Sequence, residues 1–317
     1  MKTDLRIVFM GTPDFAVATL EAILTNNYNV VGVITAPDKP AGRGRKIHES
    51  AVKQYAQKHG LNILQPTNLK DAEFLKRLHA LQANVQVVVA FRMLPEAVWK
   101  MPTLGTFNLH ASLLPNYRGA APINWAIMNG ETETGVSTFF IDDKIDTGDM
   151  ILQQSVAINE TDTVGTLHDT LMETGSQLVV ETLKHLENGT VQTIPQPNTG
   201  ELKEANKLNR DNCKIDWNDS IDTIHNKVRG LNPYPSAWCY LNNNNDENLE
   251  IKIYKTHKEI ESHSHTNGSI ITSKKTLKVA VTDGYIFIDE LKLPGKRKMA
   301  INDLLNGYDF HVEAKML

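Results

Sequence analysis

The sequence predicts an α/β protein: a doubly wound, mainly parallel sheet followed by a small OB-like β-barrel. Three observations carry this. Apolar strand runs alternate with helical stripes from Leu5 to Leu186, as repeated βαβ units require. Val85-Gln86-Val87-Val88-Val89 is almost wholly apolar, as a strand covered on both faces must be. Beyond Asn209 the stripes give way to short strands, with Asp283-Gly284 as a strong hairpin signal. The chain divides accordingly into a first domain at 1–191, a linker at 192–209 carrying Pro195, Pro197 and Gly200, and a second domain at 210–317.

The totals bound the function. A chain of 317 residues with 41% apolar and 22% charged residues is globular and long enough for two domains. A net charge of −4 excludes a generic polyanion binder, so any nucleic-acid contact needs local basic clusters. Two cysteines, Cys213 and Cys239, in separate contexts point to a reducing compartment, and cytoplasmic localisation is expected. Met1-Lys2-Thr3-Asp4 has no leader character, and no run of about 18 apolar residues would span a membrane.

Leu5 to Met10 reads as the first strand, ending at Gly11, and Phe15 to Leu24 as the first helix. This resembles a dinucleotide fold in topology only, because Pro13 replaces the second of the three glycines that a pyrophosphate needs. After a strand at Val30–Ile34 comes an extended loop in which Lys39, Arg43, Arg45 and Lys46 are spaced by glycine. It reads either as solvated surface or as a basic finger for a phosphate backbone. Helices near 50–59 and 71–82 flank a short strand near 61–64. The strand at Val85–Ala90 and a short helix at Leu94–Trp99 follow. Pro122 opens a helix that Gly130 closes, and Val136–Ile141 and Ile151–Ile158 are extended. Thr161–Leu186 is helical, with an interruption expected at Gly175. A helical stripe at Ile221, Ile224, His225, Val228 and Leu231 precedes the barrel strands near 237–241, 249–254, 269–272, 277–281 and 285–291. His257, His263 and His265 lack metal-ligand spacing and are expected to face solvent.

The chemistry gathers on Thr106–Ser112. With a strand's period of two, Phe107, Leu109 and Ala111 face one side, and Thr106, Asn108, His110 and Ser112 the other. If the strand is interior, Asn108 and His110 lie near its carboxyl end, where open α/β sheets hold ligands. Four carboxylates, Asp142, Asp143, Asp146 and Asp149, crowd the next strand's exit in a spacing unlike a calcium loop. An amide, an imidazole and a carboxylate can run acyl transfer without a covalent nucleophile. Asn108 and a protonated His110 would donate to a developing oxyanion, and Asp146 would favour the imidazolium. Ser112 lacks the Gly-x-Ser-x-Gly elbow of a nucleophile.

Asn108-x-His110 with Ser112-Leu113-Leu114-Pro115, then Tyr117-Arg118-Gly119-Ala120-Ala121-Pro122 and Asp146-Thr147-Gly148-Asp149, resembles the 10-formyltetrahydrofolate-dependent formyltransferases. Gly11-Thr12-Pro13-Asp14-Phe15, the segment Pro37–Gly44 and Asn232-Pro233-Tyr234-Pro235 extend the resemblance over essentially the whole chain, toward members that act on methionyl initiator tRNA. It implies a Rossmann-like formyltransferase domain and an OB-like tRNA-binding domain in a monomer. The formyl group would pass from 10-formyltetrahydrofolate to the free α-amino group of methionyl initiator tRNA, without metal. Asn108, His110 and Asp146 would be catalytic. Val88, Val89, Ala90, Phe91, Ile141 and Asp142 would line the pterin slot, with Ser112, Leu113, Leu114 and Pro115 flanking the folate. Lys39, Arg43, Arg45 and Lys46 would meet the acceptor end of the tRNA, and Lys296, Arg297 and Lys298 its body. Two departures stand out. Val88–Pro95 replaces the more familiar Ala-Tyr-Gly-x-x-Leu-Pro arrangement, and Lys46–Ser50 lacks the usual proline pair. An amino-sugar-nucleotide formyltransferase shares the same core and is the alternative; a nicotinamide oxidoreductase and a non-catalytic RNA-binding module fit less well.

Overall fold

The computed structural model describes residues 2–41, 46–197, 201–245 and 247–317, with backbone only at 40, 41, 46 and 47. In chain order the first half comprises β1 (Arg6–Gly11), α1 (Asp14–Thr25), β2 (Asn29–Ile34), β3 (Lys39–Ala41), β4 (Lys46–His48), α2 (Ala51–Lys58), β5 (Ile63–Leu64), α3 (Ala72–Ala80), β6 (Val85–Val89), α4 (Glu96–Trp99), β7 (Thr106–His110), β8 (Arg118–Gly119), α5 (Pro122–Met128), β9 (Glu133–Phe140) and β10 (Met150–Ala157). Then come α6 (Val164–Asn188), β11 (Glu204–Ala205), α7 (Ile221–Leu231), β12 (Ala237–Asn242), β13 (Asn248–Glu259), β14 (Ile270–Thr272), β15 (Leu277–Val281), β16 (Gly284–Lys292), β17 (Met299–Ala300), α8 (Ile301–Leu305) and β18 (Lys315–Met316). Two compact units emerge: Met1–Gly119 with Thr134–Ala157 and His168–Glu204, and Ala120–Glu133 with Ile158–Leu167 and Ala205–Leu317.

The first unit holds a sheet in the order β10-β9-β7-β6-β1-β2-β5. Pairs among β1, β2, β5, β6 and β7 are parallel, and β7 meets β9 antiparallel. Strand order reverses at β1, which pairs with β2 on one side and β6 on the other. Both faces are apolar. On one, Val8, Met10, Ile34 and Val88 pack with Phe74 and Leu78 of α3 and Val98 of α4. On the other, Leu109 approaches α6 at Gly175, and Thr138 is hydrogen-bonded to Thr182, oxygen to oxygen 2.8 Å. Phe9, Phe107 and Phe139 are fully buried, each contributing about 1.5–3 kcal/mol. Helix starts follow their sequence signals: Ser50 accepts from Lys53 N–H and Asp71 from Phe74 N–H. Gly11, the lone glycine of the first turn, answers packing, because a Cβ there would lie 2.5 Å from Ala16 Cβ.

In the second unit the barrel runs β14-β15-β16-β13-β12-β18. An antiparallel bridge between Ser269 and Lys315 closes it, and Met316 N–H donates to Gly268 O at 2.9 Å. Gly268 sits at φ 82°, where a Cβ would lie 2.4 Å from Met316 O, so only glycine lets the seam close. Ile224, Val228 and Leu231 of α7 join Ile251, Ile253, Val279, Ile286 and Ile288 in its core.

Several local expectations change. α6 runs unbroken through Gly175, because the missing side chain makes room for Leu109, whose Cδ2 would be 2.8 Å from a Cβ. The basic segment after β2 starts and ends as a hairpin in which β3 pairs antiparallel with β4. His263 is half-buried: its Nε2 lies 2.8 Å from Val281 O and 2.9 Å from Gly284 O, so it is tied to the barrel. His257 is exposed but stacks on Phe287, with centroids 4.5 Å apart, and pairs with Asp289. Within the segment 192–209, Ile194 exchanges two backbone hydrogen bonds of 2.9 Å with Met150.

Candidate active site

β7 is interior, between β6 and β9, and its register sorts the side chains as a period of two requires. Asn108 stands beside Val88 and Phe139, and His110 beside Ser137. Leu109 points to the α6 face and Asn108 to the α3–α4 face that Val88 shares. The Asn108 side chain makes no hydrogen bond among the described residues, so its amide N–H groups are free to donate to a ligand.

His110 is buried, and both ring nitrogens have neighbours. Nε2 lies 2.8 Å from Tyr117 O. A carbonyl only accepts, so Nε2 carries the proton. Nδ1 faces Asp146 Oδ2 at 3.7 Å, an electrostatic contact rather than a hydrogen bond. The same Oδ2 accepts the Gly119 N–H at 2.9 Å. Asp146 has φ 54°, in the left-handed region that a non-glycine residue holds only when its surroundings fix it. At Gly148 a Cβ would lie 1.7 Å from Phe140 O, so the turn has no room for any side chain there.

The turn has its own scaffolding. Asp142 accepts from Lys144 N–H at 2.9 Å and from the Thr147 hydroxyl at 2.8 and 2.9 Å, which is local turn chemistry. Gln196, nearly enclosed at 7% exposure, donates to the carbonyls of Asp146 and Gly148 at 3.0 and 2.7 Å and accepts from Arg118. Sequence reasoning missed Gln196. Its segment has no apolar period, and one glutamine between two prolines gives no signal by itself.

The other expected site residues are placed as follows. Val88 is buried, and Phe91 and Ile141 are half-buried against the same apolar cluster, so these three form one wall. Val89 is fully enclosed, and Ala90 is exposed at φ 46°. Arg92 folds back to donate to Thr67 O at 2.9 Å and to Pro66 O, pinning the departing segment after β6. Ser112 and Leu114 are buried. The Ser112 hydroxyl donates to Asn116 O at 2.7 Å, and Leu114 O accepts from Gln153 at 2.9 Å. Leu113 and Pro115 are half-buried. Lys39 is exposed in β3; Arg43, Arg45 and the Lys46 side chain lie outside the described residues. In the second unit Lys296, Arg297 and Lys298 are exposed, with Lys298 paired to Glu290 at 2.9 Å. Among the described residues no group of three His, Cys, Asp or Glu could hold a metal ion, and no helix is long and apolar enough to cross a membrane.

The family described as formyl transferase matches residues 5–183, and that described as formyl transferase, C-terminal domain, matches 207–309. A methionyl-tRNA formyltransferase from Flavobacterium johnsoniae is 61% identical over 312 residues, 98% of this chain and 99% of the relative. The chain belongs to the methionyl-tRNA formyltransferase family. A second relative of that name, from Bacteroides fragilis, is 52% identical over 319 residues, 99% of this chain and 98% of its own. Solved structures share the fold at lower identity. An N-formyltransferase from Helicobacter canadensis, in complex with folinic acid and dTDP-3-aminofucose, has a TM-score of 0.66 at 21% identity, covering 93% of this chain and all of its own. HypX from Aquifex aeolicus with tetrahydrofolic acid has a TM-score of 0.64 at 17% identity, covering 96% of this chain and 47% of its own.

Proposed function

We propose that this protein transfers the formyl group of 10-formyltetrahydrofolate to the α-amino group of methionyl initiator tRNA. The observation that carries this reading is the 61% identity over 98% of the chain, which spans both family matches. The folate is a substrate consumed in the reaction. Val88, Phe91 and Ile141 offer its flat ring an apolar wall at the carboxyl end of β6. Ala90, Asp142, Leu113 and Pro115 border the folate, and Val89, Ser112 and Leu114 support them from behind.

The neutral α-amine attacks the formyl carbon; a reference pKa of about 7.7–8.0 leaves a useful neutral fraction near pH 7. The carbonyl π pair moves onto oxygen, giving a tetrahedral oxyanion. The Asn108 amide donates to it. His110 donates by exchanging the Tyr117 carbonyl for the oxyanion, while Asp146 faces the charged ring. Collapse breaks the carbon–N10 bond, N10 takes up a proton, and the amine nitrogen loses one. No atom changes oxidation state, so no redox group is required. In this reading residues 1–191 catalyse and 210–317 hold the tRNA. Lys39, Arg43, Arg45 and Lys46 meet the acceptor end, and Lys296, Arg297 and Lys298 the body. The protein acts as a monomer in the cytoplasm.

The test is direct. Incubation with 10-formyltetrahydrofolate and methionyl initiator tRNA should yield formylmethionyl-tRNA and tetrahydrofolate in equal amounts. Formylation of an amino sugar nucleotide, with the charged tRNA left untouched, would overturn the reading.

A further inference from the structure

We infer that Gln196 is a positioning residue for the formyl-transfer site, holding the Asp146 turn by two of its backbone carbonyls; the inference rests on the function proposed above. Its carboxamide is fully used. The two N–H groups donate to Asp146 O at 3.0 Å and Gly148 O at 2.7 Å. The oxygen accepts from Arg118 Nε at 3.1 Å and Nη2 at 2.7 Å. Two donors and two lone pairs have four partners, in a residue 7% exposed. Arg118 is bonded to Gly119, whose N–H holds Asp146 Oδ2 at 2.9 Å. Gln196 therefore grips Asp146 twice: through its backbone carbonyl, and through Arg118 and Gly119 at its carboxylate. The turn needs such a grip, because Asp146 is held at φ 54°. Nothing else among the described residues donates to those two carbonyls. The chain brings Gln196 there by pairing Ile194 with Met150, at the start of β10, two residues before it. The obvious replacements fail: leucine has no polar atoms, glutamate cannot donate to carbonyls, and asparagine is one methylene short. Displacing Asp146 moves the charge that faces His110, and misplacement of about 1 Å can cost about a hundredfold in rate.

The test compares Gln196→Leu and Gln196→Glu with the wild-type chain. We expect kcat to fall by about tenfold to about a hundredfold, with KM for either substrate changed less than about threefold. In a double-mutant cycle with Asp146→Asn, the loss should be non-additive, with little further cost once Asp146→Asn is already in place. A residue that only stabilised the fold would lower the active fraction and combine additively. Gln196→Glu keeps Arg118 paired, so it carries the test if the leucine variant fails to fold. Hydrogen exchange of the amides in 142–149, read without substrate, should quicken by about tenfold or more in both variants. That readout judges the grip even if the chain formylates nothing. Unchanged exchange in the turn, unchanged kcat or an additive cycle would each overturn the inference.

Discussion

Two shielded histidines, one in each unit, show how neighbours decide what an imidazole is for. His110 has a carboxylate 3.7 Å from Nδ1 and a carbonyl on Nε2. A proton added there meets negative charge and an acceptor. His225, on α7, shares a hydrogen bond with the Thr256 hydroxyl at 2.9 Å. Around it stand Arg229, Lys258 and His257, with Asp222 as the only acid among the groups that act on it. Burial first, and then the cations, push its pKa down to about 4. The first histidine faces a carboxylate; the second, half-buried on α7, is held neutral by desolvation and nearby cations. The same residue type stands in opposite electrostatic surroundings.

The largest test of that contrast is at the first site. Asn108→Ala, His110→Ala and Asp146→Ala should each lower kcat, by about 10²–10³ where an oxyanion donor is lost. His225→Ala should leave kcat near wild type. Steady-state formyl transfer measures both, and equal losses at the two histidines would erase the distinction.

The next effect is on stability, and its sign follows from the depressed pKa. The unfolded chain protonates His225 near its ordinary value of 6.5, and the folded chain only near 4. Between those values the unfolded state binds the extra proton, so stability is full above about pH 6.5 and is lost as pH falls toward 4. Partial solvent access reduces the size to about 2 kcal/mol. Urea melts of the wild-type chain and His225→Leu at pH 7.5 and 4.5 measure it. The variant should lose less stability than wild type over that range; parallel losses would remove His225 as the cause.

Much of this was legible in the sequence. The alternation in Thr106–His110 assigned Asn108 and His110 to one face, and the register with Val88 and Ser137 places them there. Period two survives because a two-sided apolar sheet penalises a slip. The barrel was legible from short strands and Asp283-Gly284, but its closure through Gly268 was not, since that depends on one backbone approach. Gln196 was invisible for a related reason: its work is four hydrogen bonds, which leave no period behind. A glycine within a helix signals a break, yet at Gly175 it makes room for Leu109. Replacing Gly175 with alanine tests that lesson. Helix propensity would gain about 1 kcal/mol. Against this, a Cβ 2.8 Å from Leu109 Cδ2 overpacks the contact at a cost of about 1–3 kcal/mol. A net loss of about 1 kcal/mol is expected in thermal melts, whereas a stabilised variant would return Gly175 to an ordinary helix position.

The smallest effect extends the His225 argument to the thiols. Cys239 is fully buried, and its pKa is pushed up to about 12 by desolvation. Cys213 is buried and raised by the same cause, against a weaker pull from Lys227 and Lys252. At pH 8 only about one Cys239 in 10⁴ would be thiolate, the form that reacts. Burial in the barrel thus keeps an acid neutral just as it keeps the His225 base neutral. Alkylation of the native chain at pH 8 should be slow at both cysteines and rapid in urea. If Cys213 reacted at the free-thiol rate in native buffer, the segment before α7 would be opening locally, and burial would not be what governs titration there.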